Sequence, residues 1–443
     1  MTSPRPSSPA AFAVLLLVLI VPAIVPARAD DVRIDISTGE ARRIRVQCEA
    51  LAAQGSRNPP VTSVQADEVL ANDLDHSAVF AVTRSWVQGE QPGEVAAYVG
   101  GTWSVSGSQI KLAGEVRDFP GRRPILMREY RGPAKEWRSL VHRFADDVVL
   151  QFTGEPGVSQ TRIAFIARNG WDKELCVMDW DGDNVVQLTN DRSLAMSPAW
   201  SPDGSLLLFT SYRGNKGPRV CVTLSRGGPT YLVSGRPGLN TSASYSPDGR
   251  EIVCSLSQDG NSELYLLDAR GGSPQRLTDN RAIETSPCWS PTGQEIAFTS
   301  DRGGTPQVYV MDHAGGNVRR LNYDVSYTDS PAWSPNGKWI AFVSRTGSGF
   351  DIYVCRTDGS GTRLVVGGSS NENPRWSPDS RHLVFASNRD GAFALYVTDL
   401  DDRPPRKLET GAREAQSPAW SPRPAGERSS MLMTPASGER RLP

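Results

Sequence analysis

Short stretches with alternating apolar and polar residues recur along the second half of the chain, each just after a turn-forming sequence. In the first, LLLFTS from Leu206, Leu207 and Phe209 fall on one side of a strand with a period of two. The same pattern recurs in EIVCSL from Glu251, EIAFTS from Glu295, WIAFVS from Trp339 and HLVFAS from His382. A second strand then follows as RVCVTL from Arg219, ELYLLD from Glu263, QVYVMD from Gln307, DIYVCR from Asp351 and ALYVTD from Ala394. The pattern predicts antiparallel β-structure.

The turn-forming sequence is itself a repeat. Near copies of SPAWSPDG begin at Ser197, Ser242, Ser286, Ser330, Asn373 and Ser417. Their aromatic residues are Trp200, Tyr245, Trp289, Trp333, Trp376 and Trp420, so successive copies are 45, 44, 44, 43 and 44 residues apart. In SPDG, Pro presets φ at the second position of a type I turn and Gly closes the turn. With a short fourth strand such as PQRLT from Pro274, each unit predicts a four-stranded propeller blade.

The two ends of the repeat complement each other. TRIAFIA from Thr161 matches the second strand of a blade, but no innermost strand precedes it. The last copy, at Ser417, is an innermost strand that is followed by Arg423 and Pro424 instead of a further blade. We therefore expect the C-terminal strand to complete the first sheet. The result is an all-β six-bladed β-propeller without free sheet edges.

The preceding part of the chain lacks the repeat and predicts a small α/β domain. Thr62 and Gln65 form a capping-box pattern, a Gly-punctuated strand region follows, and a second helix begins near Ala134. The apolar residues expected on the buried face of that helix are Leu140, Val141, Phe144, Val148 and Leu150. We expect a signal peptide at 1–29, the α/β domain at 30–157, the propeller at 158–423 and a disordered tail at 424–443.

The N-terminus has the pattern of an export signal. Residues 10–21 are uninterruptedly apolar, prolines follow, and Ala27-Arg28-Ala29 fits a signal-peptidase site. A bilayer crossing needs ~20 apolar residues, more than this run supplies, although an uncleaved membrane anchor is the alternative. Cleavage would leave Asp30 as the new N-terminus of an exported chain without stable membrane insertion.

Charge and motifs narrow the function classes. The 443-residue chain has a formal net charge of -1 and no long Lys/Arg run, so no nucleic-acid partner is indicated. It contains no G-x-S-x-G elbow, H-E-x-x-H, Cys-x-x-Cys or phosphate loop, and we predict no catalytic and no metal-binding residues. We expect the four histidines, His76, His142, His313 and His382, on the surface or at strand starts, and the cysteines as small buried hydrophobes. An active site built from loops in the central channel is the enzymatic alternative.

The ordered combination of these features resembles the TolB family, the periplasmic component of the Tol-Pal envelope system. The resemblance is carried by the SPAWSPDG copies, the segment TRIAFIA…ELCVMDWDGDN and the exported domain starting DVRIDI, and it spans residues 30–422. It implies a periplasmic interaction hub that is not an enzyme. It also implies two partners, the peptidoglycan-associated lipoprotein Pal on a propeller face and the inner-membrane protein TolA at the mature N-terminus, in support of outer-membrane integrity and division. No cofactor is implied, although the family's channel can hold a cation such as calcium.

The resemblance also implies partner-binding residues. The TolA-like partner would bind the stretch Asp30, Asp31, Val32, Arg33, Ile34, Asp35 and Ile36, whose alternation suits addition as a strand to a partner's sheet. The alternative is that this stretch is a strand of its own domain. The Pal-like partner would bind loops between blades, at Leu239, Asn240, Thr241, Arg281, Thr285, Ser286, Asn371, Glu372 and Asn373. Leu239 falls where well-known members have His, and solvated turns are the alternative for these loops.

Overall fold

The computed structural model describes residues 43–54, 63–87 and 95–424, except for the single positions 271, 348 and 402. The predicted signal peptide, the predicted TolA-binding stretch, Thr62 of the capping box and the tail beyond residue 424 lie outside the described residues. All described residues belong to one compact unit.

A mixed sheet and two helices form the N-terminal part. The helices are α1, Ser63–Asp75, and α2, Trp137–Thr153. The strands are β1, Ile44–Cys48; β2, Ala52–Ala53; β3, Phe80–Arg84; β4, Ala97–Ser106; β5, Gln109–Asp118; and β6, Pro124–Pro133. The sheet order is β3-β1-β4-β5-β6, with β2 beside β4; β1 runs parallel to β3 and β4, and β4 to β6 are antiparallel. Among the described residues, no helix is long and apolar enough to cross a bilayer.

Helix α2 follows its predicted apolar face with two differences. A three-residue 3-10 turn, Ala134–Glu136, precedes the helix, which therefore begins at Trp137. Val149 is buried, whereas Leu150 is only half-buried. The helix ends at Gly154, which adopts φ 76° and donates its N–H to the Leu150 carbonyl, a left-handed C-cap that glycine makes without steric cost.

The described residues from Arg162 onward form six four-stranded antiparallel sheets, each with its innermost strand first. The first blade consists of β10, Ala195–Trp200; β11, Leu206–Ser211; β12, Arg219–Leu224; and β13, Tyr231–Ser234, and the second of β14, Asn240–Tyr245; β15, Glu251–Leu256; β16, Glu263–Asp268; and β17, Gln275–Arg276. The third blade consists of β18, Glu284–Trp289; β19, Glu295–Ser300; β20, Gln307–Asp312; and β21, Arg319–Arg320, and the fourth of β22, Thr328–Trp333; β23, Trp339–Thr346; β24, Gly349–Arg356; and β25, Arg363–Val366. The fifth blade consists of β26, Asn371–Trp376; β27, His382–Ser387; β28, Ala394–Asp399; and β29, Arg406–Leu408. The sixth consists of β30, Glu414–Trp420, β7, Arg162–Asn169, β8, Asp172–Asp179, and β9, Val186–Gln187. The predicted six-bladed propeller is confirmed.

The ring closes between the two ends of the repeat, as predicted. Strand β30 pairs antiparallel with β7, with Trp420 opposite Ile163. The Trp420 indole Nε1 donates to Thr161 Oγ1 at 2.8 Å, which ties the last strand to the residue before β7.

The repeated motif has three structural roles. In the turn, the Gly204 N–H donates to the Ser201 carbonyl at 2.9 Å, and Asp203 Oδ1 accepts the Ser205 N–H at 3.0 Å, which confirms the predicted turn chemistry. The tryptophan fastens neighbouring blades, since the Trp200 Nε1 donates to the Ala419 carbonyl of the adjacent innermost strand at 2.9 Å.

The third role, a bulge, was not predicted from the sequence. The first residue of every copy has a left-handed backbone with φ between 49° and 54°, and the strand register shifts at that point in all six blades. Ser stands there in five copies and Asn in one, and the strand bends at each bulge.

Candidate functional site

The propeller has two faces with different chemistry. In each blade the first strand starts, and the fourth strand ends, at the same edge of the sheet. We call the edge that carries Leu239 and Ile283 the connection face, and the opposite edge, which carries the SPDG-like turns at Pro202 and Asp248, the turn face. The nine residues predicted to bind a Pal-like partner all belong to the connection face or to the strands that start there.

Most of those nine residues lie in strands instead of loops. Leu239 and Arg281 lie in connections between blades, but Asn240 and Thr241 begin β14, Thr285 and Ser286 lie in β18, and Asn371, Glu372 and Asn373 begin β26. The loop prediction is therefore corrected, because each innermost strand begins two or more residues before the first residue of its repeated motif and pairs with the second strand before the bulge. Ser286 and Asn373 are bulge residues that line a cavity on the propeller axis.

Two of the predicted contact residues hold the connections from inside. Asn240 is fully buried, and its amide accepts from the Ser234 hydroxyl at 2.7 Å and the Arg236 N–H at 3.0 Å and donates to the Arg236 carbonyl at 2.8 Å. Asn371 is also fully buried; it donates to the Phe350 carbonyl and accepts from Arg389. Their side chains set the shape of the connections and are too deeply buried to contact a partner directly.

Apolar side chains project from these connections into solvent. Leu239 is 44% exposed and Ile283 is 53% exposed. The backbone N–H of each is fixed by a side chain of its own blade, Ser257 Oγ for Leu239 and Asp301 Oδ1 for Ile283, both at 2.8 Å. Fixed connections present both side chains with little freedom to retract.

Two aromatic residues on the same face were missed by the sequence analysis. Trp171, at the tip of the hairpin between β7 and β8, is 90% exposed, and Tyr323, in the connection before β22, is 77% exposed. Exposed aromatic residues are typical anchors of protein interfaces. The signal was available for Trp171, because a tryptophan between Gly170 and Asp172 occupies a hairpin tip where no core is within reach.

The N-terminal domain occupies part of the turn face. Arg43 pairs with Asp399, the last residue of β28, and with Asp401 in the turn that follows. The His382 Nε2 donates to the His76 carbonyl at 2.8 Å. The domain therefore lies on the side of the propeller opposite the exposed apolar residues.

A buried network of charges links the two parts of the chain. Asp73 of α1 accepts from His142 Nδ1 of α2 at 2.6 Å and from the Trp180 Nε1 at 3.2 Å. Asp181, beside Trp180, accepts from Arg138 of α2. Burial disfavours the His142 imidazolium, but Asp73 and Asp181 outweigh burial and raise the pKa of His142 to about 9. The expectation of a surface position for His142 was wrong, since the side chain completes this interface.

The same residues form the one potential metal cluster among the described residues. Ligand atoms of Asp73, His142 and Asp181 lie within 4.8 Å of one another. Arg138 already donates to Asp181, and His142 already binds Asp73 through Nδ1. A guanidinium beside the carboxylates supplies the positive charge that a metal ion would bring, so these residues form an ion-pair network.

The resemblance allowed a cation such as calcium in the channel of the propeller, although no site for it was predicted. Calcium takes six to eight oxygen ligands, usually including carboxylates. Among the described lining residues, serine hydroxyls are present but carboxylates are not, and the charged side chain is Arg375. This lining does not fit calcium.

The comparisons with known proteins agree with this architecture. The family model described as TolB beta propeller domain matches residues 149–424. The chain belongs to the TolB beta-propeller family. The crystal structure of TolB from Acinetobacter baumannii is similar with a TM-score of 0.75 and 24% identity, over 86% of this chain and 97% of that one, and shows the same fold.

Three similar proteins from other bacteria carry the TolB name. The Tol-Pal system protein TolB of Desulfosudis oleivorans is 32% identical over 57% of this chain and 61% of its own length. The Protein TolB homolog of Chlorobaculum tepidum is 35% identical over 58% of this chain and 62% of its own length. The Protein TolB homolog of Chlorobium chlorochromatii is 41% identical over 39% of each chain. The chain thus spans less than two thirds of the length of each of these three relatives.

Proposed function

We propose that this chain is a periplasmic, non-enzymatic interaction hub of a Tol-Pal system. Its connection face binds a Pal-like peptidoglycan-associated lipoprotein, and its predicted mature N-terminus, Asp30 to Ile36, binds a TolA-like inner-membrane protein. Through both contacts it supports outer-membrane integrity and cell division. Membership of the TolB family and the names of the relatives support this role, and the apolar run at residues 10–21 supports export.

The observation that carries the Pal-binding part is the exposed apolar set on the connection face. Trp171, Leu239, Ile283 and Tyr323 project from one side of a rigid ring. Such a surface can bind a partner with little ordering cost on the propeller side. Polar residues surround these side chains, which suits a contact that forms and dissociates.

A pair of matched substitutions tests the assignment of this face. Thr285 and Thr292 stand at opposite ends of the same innermost strand and its turn, one at the connection face and one at the turn face. Thr285→Arg is expected to weaken binding of the soluble Pal-like domain at least about tenfold, because a long cation blocks the interface. Thr292→Arg is the control, since Arg423 already occupies the equivalent turn position in the last copy.

Binding is measured by isothermal titration calorimetry with the chain starting at Asp30, and folding is verified by circular dichroism. Equal affinity of the two folded variants for the Pal-like domain would rule out the connection face. Failure of the folded parent to bind any Pal-like domain would reject the hub role and direct attention to channel chemistry.

The N-terminal assignment has its own test. Deletion of Asp30 to Ile36 is expected to abolish binding to a TolA-like domain and to leave the thermal unfolding of the propeller unchanged. Retained affinity for the TolA-like domain in the truncated chain would reject this part of the proposal.

A further inference from the structure

The axial cavity is built almost entirely from the repeated motif. It has a volume of about 440 Å³ and is lined by the innermost strands and the turns that follow them in all six blades. Each blade contributes similar residues, chiefly Ser, Pro, Trp and small side chains. Departures from the repeat in this lining are therefore easy to recognise.

The main departure is a cation. At the position just before the aromatic residue of each copy, the six blades carry Ala199, Ser244, Cys288, Ala332, Arg375 and Ala419. Five of these side chains are small and uncharged, whereas Arg375 places a guanidinium among the lining residues. A guanidinium stays protonated in proteins, so the cavity wall holds a fixed positive charge.

This guanidinium has unused hydrogen-bonding capacity. Its Nη1 donates to the Pro374 carbonyl at 2.8 Å, which uses one of five N–H donors. No carboxylate of the described residues forms an ion pair with Arg375 within 4.0 Å. Asp329 is the acidic residue whose charge acts on the pKa of Arg375. Its Oδ1, however, already accepts from Thr299 Oγ1 at 2.8 Å and from the Ser330 N–H at 2.6 Å.

A tryptophan that faces the neighbouring blade on this side of the cavity also lacks a hydrogen-bond acceptor. The indoles of Trp200 and Trp376 donate to backbone carbonyls of the adjacent innermost strands at 2.9 and 3.0 Å. The corresponding Trp333 Nε1 is buried without an acceptor among the described residues. Trp333 contacts Cys288, whose Sγ accepts the Trp333 backbone N–H, and Cys288 is also a neighbour of Arg375. Donors thus exceed acceptors on this side of the cavity.

We propose that the axial cavity is an anion site in which Arg375 binds a carboxylate group. The planar guanidinium matches a carboxylate with two parallel N–H···O bonds, and serine hydroxyls such as Ser286 and Ser330 line the same space. The volume accommodates a small dicarboxylic acid or a carboxylate side chain carried on a polypeptide. This inference concerns the axis of the propeller and does not depend on the proposed partners.

The experiment uses succinate as the probe and the full chain from Asp30 as the protein. Because Trp200, Trp289, Trp333, Trp376 and Trp420 line the cavity, intrinsic tryptophan fluorescence in a chloride-free buffer reports occupancy. Succinate is expected to change the fluorescence of the parent, and Arg375→Gln is expected to weaken the apparent affinity at least about tenfold. Arg375→Lys keeps the positive charge but not the planar pair of N–H donors, and an intermediate affinity for succinate is expected.

Arg345→Gln is the matched control, because it removes the same charge from an exposed position near the hairpin between β23 and β24. Parent-like succinate affinity is expected for this variant. A blocked tetra-aspartate peptide is titrated in parallel: binding of succinate alone identifies a free small acid as the ligand, and binding of both identifies a polypeptide carboxylate as an equal source. Circular dichroism shows whether each variant is folded.

Two results would overturn the inference. One is equal succinate affinity of the parent and the folded Arg375→Gln variant, which would place the acid elsewhere. The other is a fluorescence response of the parent to calcium chloride beyond its response to sodium chloride at equal chloride concentration, with none to succinate, which would make the cavity a cation site despite Arg375.

Discussion

The two faces of the propeller differ in what they do with polar and apolar groups. On the turn face, Asp73 and His142 of the N-terminal domain are buried against the propeller and form an ion-pair network with its half-buried Asp181. On the connection face, apolar side chains such as Trp171 and Ile283 are exposed to solvent. One repeated blade thus supports an internal interface at one edge and, in the proposed function, a reversible external one at the other.

Removal of Asp73 should have the largest effect on this comparison. Asp73→Ala leaves the His142 Nδ1 without its carboxylate partner and the Trp180 Nε1 without its acceptor. We expect a loss of roughly 3 to 5 kcal/mol in the free energy of unfolding, measured in urea. Asp248→Ala, at an exposed turn of the same face, is the control and should change stability little. Similar stabilities of the two variants would show that the buried network does not hold the interface.

The turn face should also respond to pH. Burial opposes the charge on His142, but Asp73 and Asp181 raise its pKa from 6.5 to about 9, so the folded state holds this proton more tightly than the unfolded chain. The stabilisation is complete below pH 6.5 and is lost as pH rises through 9. We expect the free energy of unfolding to fall by about 3 kcal/mol across this window. His142→Gln should remove that dependence, and an unchanged pH profile in this variant would contradict it.

Trp171→Ala tests the connection face. It should reduce affinity for the Pal-like domain by about 2 kcal/mol, roughly 30-fold, as loss of an aromatic anchor does. The free energy of unfolding should not change, because the side chain is 90% exposed. Val186→Ala removes an exposed apolar side chain from the outermost strand of the same blade and should leave binding unchanged. If both variants bind like the parent, Trp171 lies outside the interface.

Asn240→Ala gives the smallest expected effect and links the shape of a connection to binding. Loss of the amide leaves backbone groups of Arg236 and Gly238 without partners and should lower stability by about 1 kcal/mol. Affinity for the Pal-like domain should fall by a few-fold through displacement of the neighbouring Leu239. Unchanged affinity at reduced stability, both measured on the same preparation, would show that the position of Leu239 does not matter for binding.

The sequence predicted the propeller because its signals are local and repeated. Pro, Asp and Gly at fixed offsets specify a turn, and six near-equal spacings specify six blades. The buried network could not be predicted in this way, because Asp73 and Trp180 are 107 positions apart and meet only through the docking of two domains. The bulge at Ser197 was missed because a left-handed φ at a serine is imposed by strand pairing and not by local preference.

The residues that the resemblance assigns to a Pal-like partner lie at one edge of the ring, and their role in binding stays a prediction. The resemblance pointed to Asn240 and Asn371, whose side chains are internal, and did not single out Ile283, which is exposed. Arg375 was visible in the sequence as the R of NPRW, whereas the other five copies have Ala, Ser or Cys at that position. Its lack of a carboxylate partner emerged only when the surrounding cavity wall was assembled.

Closure by β30 has a consequence for the way this protein is made. The first propeller sheet to be synthesised keeps an unpaired edge at β7 until Glu414–Trp420 has been added, some 250 residues later. During synthesis the incomplete ring exposes that edge to other chains, a condition that favours aggregation. Chains that stop short of residue 414 lack the strand that closes this ring. The six-bladed ring can therefore close only after the last innermost strand has been made.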